Sequence, residues 1–134
     1  MVDPQQGSNR SSAPLYWARN PVQISFMFMA EEQEYSTFKE FYPYYLDEHK
    51  KAGTRITHFI GTTGFFAFVA LAIVGQNPYY LVPAVVFPYA WAWIGHFFIE
   101  RNRPATFKHP WMSLKGDFKL YFQILAGKEG FKGK

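Results

Sequence analysis

Four histidines are the residues of this chain with the clearest capacity for chemistry, because the sequence contains no cysteine. Without thiols, disulfides and thiolate metal sites are excluded, and any metal must be bound by histidine, carboxylate or backbone oxygen. Imidazole nitrogen suits iron, zinc, copper and nickel. His58 and His96 stand near the two ends of an uncharged segment, whereas His49 precedes it and His109 follows it. All four are therefore candidate metal ligands.

Glu100 is the carboxylate best placed to act with a histidine, because it follows His96 by four residues and shares its helical face. It could complete a set of two histidines and one carboxylate, which is typical of non-haem Fe(II). It could equally orient an imidazole from behind, or pair with Arg55 or Arg103. Weaker candidates for the same roles are Glu48 and Asp117. No serine lies in a nucleophile elbow, and no dinucleotide or phosphate loop is present.

The segment that holds His58 and His96 has no Asp, Glu, Lys or Arg over the 44 residues from Ile56 to Ile99. A soluble helix needs a polar face, whereas a charge at the centre of a bilayer costs at least ~2.5 kcal/mol. The turn signal Gln76-Asn77-Pro78 divides the segment into residues 59–75 and 79–99. Both parts can cross a hydrocarbon core of ~30 Å, the first only just. The pattern predicts a transmembrane hairpin of two helices.

The hairpin determines where the histidines lie. His58 precedes Asn77 by 19 residues and His96 follows it by 19, so both are about 28 Å from the turn and level with one another. Basic residues flank both outer ends of the hairpin, whereas the connecting turn is neutral. The positive-inside rule then places both ends on the cytoplasmic side. We expect an integral protein of the endoplasmic reticulum in a eukaryote, or of the cytoplasmic membrane in a bacterium.

Amphipathic segments on either side of the hairpin complete the predicted fold. Residues 37–51 and 113–127 place aromatic and aliphatic side chains on one face, as interfacial helices do. The fold class is an all-α membrane protein, in which interfacial amphipathic helices flank a two-helix transmembrane hairpin. We predict a loosely ordered tail over residues 1–35, a histidine-rich domain over 36–128 and a short basic tail over 129–134. The net charge of +4 favours anionic lipid headgroups over nucleic acid, and a homo-oligomer is compatible with the pattern.

Three stretches of the sequence resemble a known family. The stretches are His49-x8-His58-Phe-Ile-Gly61-Thr62, then Gly95-His96-Phe-Phe-Ile-Glu100-Arg-Asn-Arg103-Pro104-Ala105, and Ser113-Leu114 followed by Gly116-Asp117-Phe118. They resemble the 2-hydroxy fatty acid dioxygenases, small membrane proteins with several histidines that are linked to phytosphingosine breakdown. The resemblance covers about residues 38–127 and is closest to the short form of the family.

This resemblance implies an Fe(II)-dependent enzyme of α-oxidation that uses O2 to shorten a 2-hydroxy fatty acid by one carbon. It implies His49, His58 and His96 as iron ligands, and the position of His109 need not be histidine in the larger members. Those members have a second histidine and an asparagine where this chain has Lys50 and Lys51, and they have more spans. Our candidate catalytic residues are Glu100 and Arg103, and our candidates for substrate binding are Arg55, Asn102 and Arg103.

Two other functions fit parts of the pattern. Two level histidines on facing helices could be the axial ligands of a b-type haem. That hypothesis gives no role to His49, His109 or Glu100. A non-enzymatic hairpin that shapes the bilayer or serves as a scaffold for a partner would need no metal at all.

Overall fold

The computed structural model describes residues 34–134, which contain helices and no strand. A helix over Leu81–Trp93 continues directly into a π-helix over Ile94–Glu100, and short 3-10 turns lie at Pro78–Tyr80 and Ala105–Phe107. The predicted N-terminal tail falls almost wholly outside the described residues. The main helices are α1 (Phe38–Asp47), α2 (Ala52–Val74), α3 (Leu81–Trp93) and α4 (Pro110–Leu125).

Helix α1 begins after a capping threonine, close to the start of the predicted segment 37–51. The Thr37 hydroxyl accepts a hydrogen bond from the backbone N–H of Glu40 at 3.3 Å, which satisfies a donor of the first turn. Pro43 lies within the helix, and the helix ends at Asp47, earlier than predicted. The face of α1 that carries Phe41 and Tyr45 is fully buried. This face is the aromatic stripe that the sequence pattern indicates.

Helices α2 and α3 form the predicted hairpin. Two stretches of 23 residues, Ala52–Val74 and Pro78–Glu100, are long and apolar enough to cross a membrane. Only about a fifth of each most apolar window is buried inside the protein, so most of this apolar surface is exposed. In the turn between them, the Asn77 side chain accepts a hydrogen bond from the N–H of Tyr79 at 3.1 Å. Helix α2 begins seven residues before the span that we predict.

Glycines let the two arms of the hairpin approach closely. A Cβ added at Gly61 would lie 3.0 Å from the Cα of Pro88, and one added at Gly95 would lie 2.3 Å from the Thr57 hydroxyl. The small residues around Gly61 therefore pack as expected for helices in lipid. Gly95 likewise allows the second arm to approach α2 closely. Because it directly precedes His96, it sets the distance between His96 and α2.

We expect Gly95→Ala to destabilise the protein by about 1–3 kcal/mol, since the added methyl overpacks a close helix contact. It should also lower the metal content, because His96 would move away from α2. Thermal unfolding in detergent and metal analysis measure the two effects. Gly130→Ala is the matched control, because its Cβ would meet no atom closer than 3.8 Å. Equal behaviour of the two variants would contradict this packing argument.

The second span ends in a π-helix that the sequence analysis does not anticipate. The wider turn covers Ile94–Glu100 and ends where Arg101 adopts a left-handed conformation, with φ of 64°. The N–H of Asn102 then donates to the carbonyl of His96 at 3.0 Å. π-Helical turns are rare and often occur at functional sites. Here the turn brings the side chain of Asn102 back beneath His96.

Helix α4 and the C-terminal segment pack against the outer end of the hairpin. Gly116 of α4 allows contact with the Tyr45 ring, to which an added Cβ would be 2.7 Å away. Gly127 follows the helix with φ of 68°, as a C-terminal glycine does. The segment predicted as a basic tail folds back, so that the N–H of Gly133 donates to the carbonyl of Lys50 at 2.9 Å. Residues 35–134 form one compact unit.

Candidate metal centre

Three of the four histidines meet in the protein interior. The Nε2 atom of His58 lies 3.2 Å from the Nε2 of His49 and 3.2 Å from the Nε2 of His96. His49 follows α1, His58 lies in α2 and His96 lies in the π-helix. All three side chains are buried, with at most 7% of each exposed. The structure thus brings together the two level histidines of the hairpin and adds His49 to them.

The other ring nitrogen of each histidine faces a hydrogen-bond acceptor. The Nδ1 of His49 donates to the carbonyl of Tyr45 at 2.6 Å, and that of His58 to the Asp117 carboxylate at 3.0 Å. The Nδ1 of His96 donates to the amide oxygen of Asn102 at 2.7 Å. With the ring proton on Nδ1, as these acceptors favour, each Nε2 carries a lone pair. The three Nε2 atoms can therefore face a common ion, since the ligand atoms of the group lie within 4.8 Å of one another.

This donor set fits a transition metal. Three lone pairs without a proton between them repel one another, and a bound cation removes that repulsion. Metal–imidazole bonds of ~2.1 Å require nitrogens about 3.0–3.4 Å apart for angles between square and tetrahedral, and the two distances of 3.2 Å lie within that range. Burial, and then the closeness of the ionisable rings of His58 and His96, lower the pKa of His49 well below its usual value. His49 is therefore neutral, as a ligand must be.

Asp117 of α4 fixes the orientation of His58. Its Oδ1 atom accepts from the Nδ1 of His58 and also from the hydroxyl of Tyr45, at 2.5 Å. Burial, followed by the Asp117 charge, raises the pKa of Tyr45 well above its usual value, so the phenol keeps its proton and donates. The Tyr45 ring also stacks on His49, with centroids 4.0 Å apart. One carboxylate and one tyrosine thus support two of the three histidines.

We expect Asp117→Asn to weaken metal binding by about 10–100-fold, as loss of an outer-sphere carboxylate does. The amide is a poorer acceptor and can present its N–H₂ to the ring instead, which favours the wrong tautomer. Competition with a chromogenic chelator measures the affinity. Asp47→Asn is the control, because Asp47 is exposed and its one ion pair among residues 34–134 is with Lys50, at 3.0 Å. An affinity as high as that of the wild type would show that Asp117 does not orient His58.

Asn102 holds His96 from the opposite side. Its amide nitrogen donates to the backbone carbonyl of Glu48 at 3.0 Å and to the Glu48 carboxylate at 2.6 Å. Both partners are acceptors, so the amide oxygen is the atom that faces His96. Burial raises the pKa of Glu48, although the bond from Asn102 lowers it in part. Asn102, a candidate for substrate binding, is therefore engaged with His96 itself.

Arg55 likewise forms its hydrogen bonds within the protein, and its side chain does not reach an open surface. Its Nε donates to the carbonyl of His49 at 2.6 Å, and its Nη1 donates to the Glu129 carboxylate at 3.0 Å and to the carbonyl of Gly130 at 2.8 Å. Only 2% of its side chain is exposed. Its guanidinium ties the C-terminal segment to His49, so the geometry does not support a substrate-binding role.

Glu100 caps a helix and does not join the three histidines. Its carboxylate accepts from the hydroxyl of Thr54 at 2.6 Å and from the N–H of Lys51 at 3.1 Å. These contacts place it at the N-terminus of α2, where negative charge is favourable. The cluster of possible ligands contains His49, His58 and His96 without a carboxylate. The structure therefore gives no support to Glu100 as a metal ligand.

His109 and Arg103 also lie away from the three histidines. The His109 ring packs against the rings of Phe41 and Tyr35, with centroids 5.4 and 5.5 Å away. Its backbone carbonyl accepts from the N–H of Ser113 in the first turn of α4. Arg103 is exposed and lines a separate pocket. The structure thus brings together three of the four predicted ligands.

A narrow cleft opens beside the metal ligands. His58, His96 and Asp117 line it, together with Tyr89 and Trp93 of the second span, and its enclosed space is about 50 Å³. No lysine or arginine contributes to its lining. The cleft can therefore admit a small polar group or a diatomic gas beside His58 and His96, but not a macrocycle.

The helical fold and the buried group of three histidines are typical of a metalloprotein with nitrogen ligands and an open side. The family model described as 2-hydroxy-palmitic acid dioxygenase Mpo1-like matches residues 35–129. The chain therefore belongs to the Mpo1-like family. No curated protein and no solved structure matches it. The family name indicates a role related to 2-hydroxy fatty acid dioxygenation.

Proposed function

We propose that this protein is an Fe(II)-dependent dioxygenase that shortens 2-hydroxy fatty acids by one carbon. The observation that carries the proposal is the convergence of three Nε2 lone pairs in a member of the Mpo1-like family. His49, His58 and His96 would hold the iron. When bound, the iron would supply the redox chemistry that lets O2 react with the substrate. The same three histidines could also bind zinc, so the choice of iron as the metal is itself part of the proposal.

The chain's own residues then have distinct tasks. Tyr45, Asp117 and Asn102 hold the three rings in one tautomer, so that no ligand has to reorient when the metal binds. The three ligand side chains are buried where the outer end of the hairpin meets the other elements. This is the preorganisation that a metal site needs. The partners of His49 and His96 are close in sequence, whereas the partner of His58 comes from a distant helix.

The substrate would present its polar end to the cleft and leave its tail in the lipid. Hydroxyls of Thr62, Tyr89 and Thr106 line the cleft and are suited to the hydroxyl and carboxylate oxygens of a 2-hydroxy acid. No cation lines it, so we assign no arginine to the substrate carboxylate. The apolar outer surface of the hairpin would hold the acyl chain, at a gain of ~0.8 kcal/mol per buried CH₂.

The alternative of a haem protein does not fit this geometry. Axial histidines face one another across a porphyrin, whereas the Nε2 atoms of His58 and His96 are 3.2 Å apart and His49 lies beside them. A scaffold without metal does not explain why three buried imidazoles aim their lone pairs at one point. We therefore retain the dioxygenase as the proposed function.

Turnover with a matched pair of substrates tests the proposal. The detergent-purified protein, loaded with Fe(II), is expected to convert 2-hydroxyhexadecanoate into an acid one carbon shorter and to consume O2 in proportion. Hexadecanoate, which lacks the 2-hydroxyl, should not react. Mass spectrometry of the products and an oxygen electrode provide the readouts. Absence of a shortened product from iron-loaded protein, or equal reaction of both acids, would refute the proposed activity.

A further inference from the structure

A second pocket lies in the loop that follows the second span, and none of the three histidines lines it. Its volume is about 420 Å³, much larger than the cleft at the metal ligands. Two cations, Arg103 and Lys108, line it together with the rings of Tyr44, Phe97 and Phe107. Glu48 is its one acidic residue. The lining therefore combines positive charge with aromatic surface.

The charges of this pocket favour an anion. Within residues 34–134, neither Arg103 nor Lys108 has a carboxylate within salt-bridge distance. The single acid, Glu48, already accepts a hydrogen bond from the amide of Asn102 at 2.6 Å. Two cations thus remain available to a ligand. An arginine and a lysine together suit the anionic oxygens of a phosphate group.

The position of the pocket favours a lipid over a soluble anion. Phe97 belongs to the last turns of the second span, and the two cations follow the end of that span, where lipid headgroups lie. The apolar wall continues to Trp93, whose ring lies 6.4 Å from that of Phe97 and 6.5 Å from that of Phe107, and which is 47% exposed. A ligand with an anionic head and an acyl tail would contact both surfaces.

We propose that this pocket binds the phosphate headgroup of an anionic membrane phospholipid. Arg103 and Lys108 contact the phosphate, and the glycerol and first methylenes pack on Phe97 and Phe107. A carboxylate alone would fill only a small part of the 420 Å³. The site is separate from the metal ligands and goes beyond the proposed activity. Arg103, which belongs to the stretch Gly95–Ala105, would therefore bind membrane lipid.

Native mass spectrometry of the full chain in neutral detergent tests the proposal, because no charged bilayer surface is then present. We expect wild-type protein to retain one phosphatidylglycerol and to bind phosphatidylcholine far more weakly. Arg103→Gln and Lys108→Gln should each weaken retention by about tenfold, as loss of a charged hydrogen bond does. Arg101→Gln is the matched control, since it removes the same charge from the same loop but Arg101 does not line the pocket.

The possible results distinguish a bound phospholipid from a bound fatty-acid carboxylate and from a general effect of surface charge. If Arg101→Gln weakened the retention of phosphatidylglycerol as much as Arg103→Gln does, the proposal would be overturned. The loss would then reflect general surface charge and not the pocket. Equal retention of phosphatidylcholine would overturn it as well. Binding of palmitate that depends on Arg103 and Lys108, without binding of phosphatidylglycerol, would overturn it in favour of a carboxylate site. Metal content should be unchanged in both pocket variants, so this test stands apart from that of the proposed function.

Discussion

Replacing His58 with alanine is expected to abolish tight binding of the metal. His58 is the central member of the three, since its Nε2 lies 3.2 Å from each of the other two. The substitution removes one of the three nitrogen ligands and leaves Asp117 without its imidazole. The loss of affinity should therefore exceed the 10–100-fold that loss of an outer partner costs. Metal analysis of the purified protein and chelator competition measure it, and turnover of 2-hydroxyhexadecanoate should fall with it.

His109→Ala is the matched control for His58→Ala. It removes the same side chain, but from the aromatic cluster formed with Tyr35 and Phe41. We expect the metal content to remain at the wild-type level, with some loss of stability. Circular dichroism of both variants establishes that they are folded. Retention of stoichiometric metal by folded His58→Ala protein would contradict the assignment of the three histidines.

Replacing Arg55 with glutamine is expected to destabilise the protein by about 3–5 kcal/mol, the usual cost of breaking a buried ion pair by removing one partner. The guanidinium is the one group that joins the carbonyl of His49 to Glu129 and Gly130. Without it, the C-terminal segment loses one of its anchors, although the hydrogen bond from Gly133 to Lys50 remains, and the backbone at His49 loses a hydrogen bond. Metal affinity should fall together with stability. Thermal unfolding of apo protein and metal-loaded protein measures both effects.

Arg101→Gln again provides the control for charge, because Arg101 is exposed at the end of the π-helix. It should leave the unfolding temperature nearly unchanged. Glu129→Gln should cost less than Arg55→Gln, since an amide can still accept from the guanidinium. If Arg55→Gln were as stable as Arg101→Gln, the C-terminal segment would not be held in the way that the structure indicates.

The hairpin and its two level histidines follow from the sequence. The absence of charge between Ile56 and Ile99, together with the turn signal at Asn77, is a local pattern that a bilayer imposes directly. Helical rise then fixes the depth of His58 and His96 without knowledge of any contact. The capping residues Thr37 and Gly127 are local in the same sense. These parts of the fold could be predicted because they depend on short stretches of chain.

The contacts between distant segments could not be placed in that way, although Asp117 is among the weaker candidates for orienting an imidazole. Asp117 reaches His58 from a helix 59 positions along the chain, and Glu129 reaches Arg55 across 74 positions. Such contacts depend on tertiary packing, which periodicity does not encode. The one sequence signal for a role of Asp117 is its position in the stretch Gly116-Asp117-Phe118, which resembles the family. The π-helix also changes the direction of the Glu100 side chain. The expectation that Glu100 shares a face with His96 holds for an ordinary α-helix.

The central claim is that three converging histidines hold a metal with which this chain uses O2 to shorten a 2-hydroxy fatty acid. The most direct test is turnover of 2-hydroxyhexadecanoate under isotopically heavy O2 by the iron-loaded protein. We predict that the shortened acid carries heavy oxygen in its carboxylate, and that His58→Ala protein forms none of it. A shortened acid without heavy oxygen, or one formed equally by the His58→Ala variant, would contradict the account.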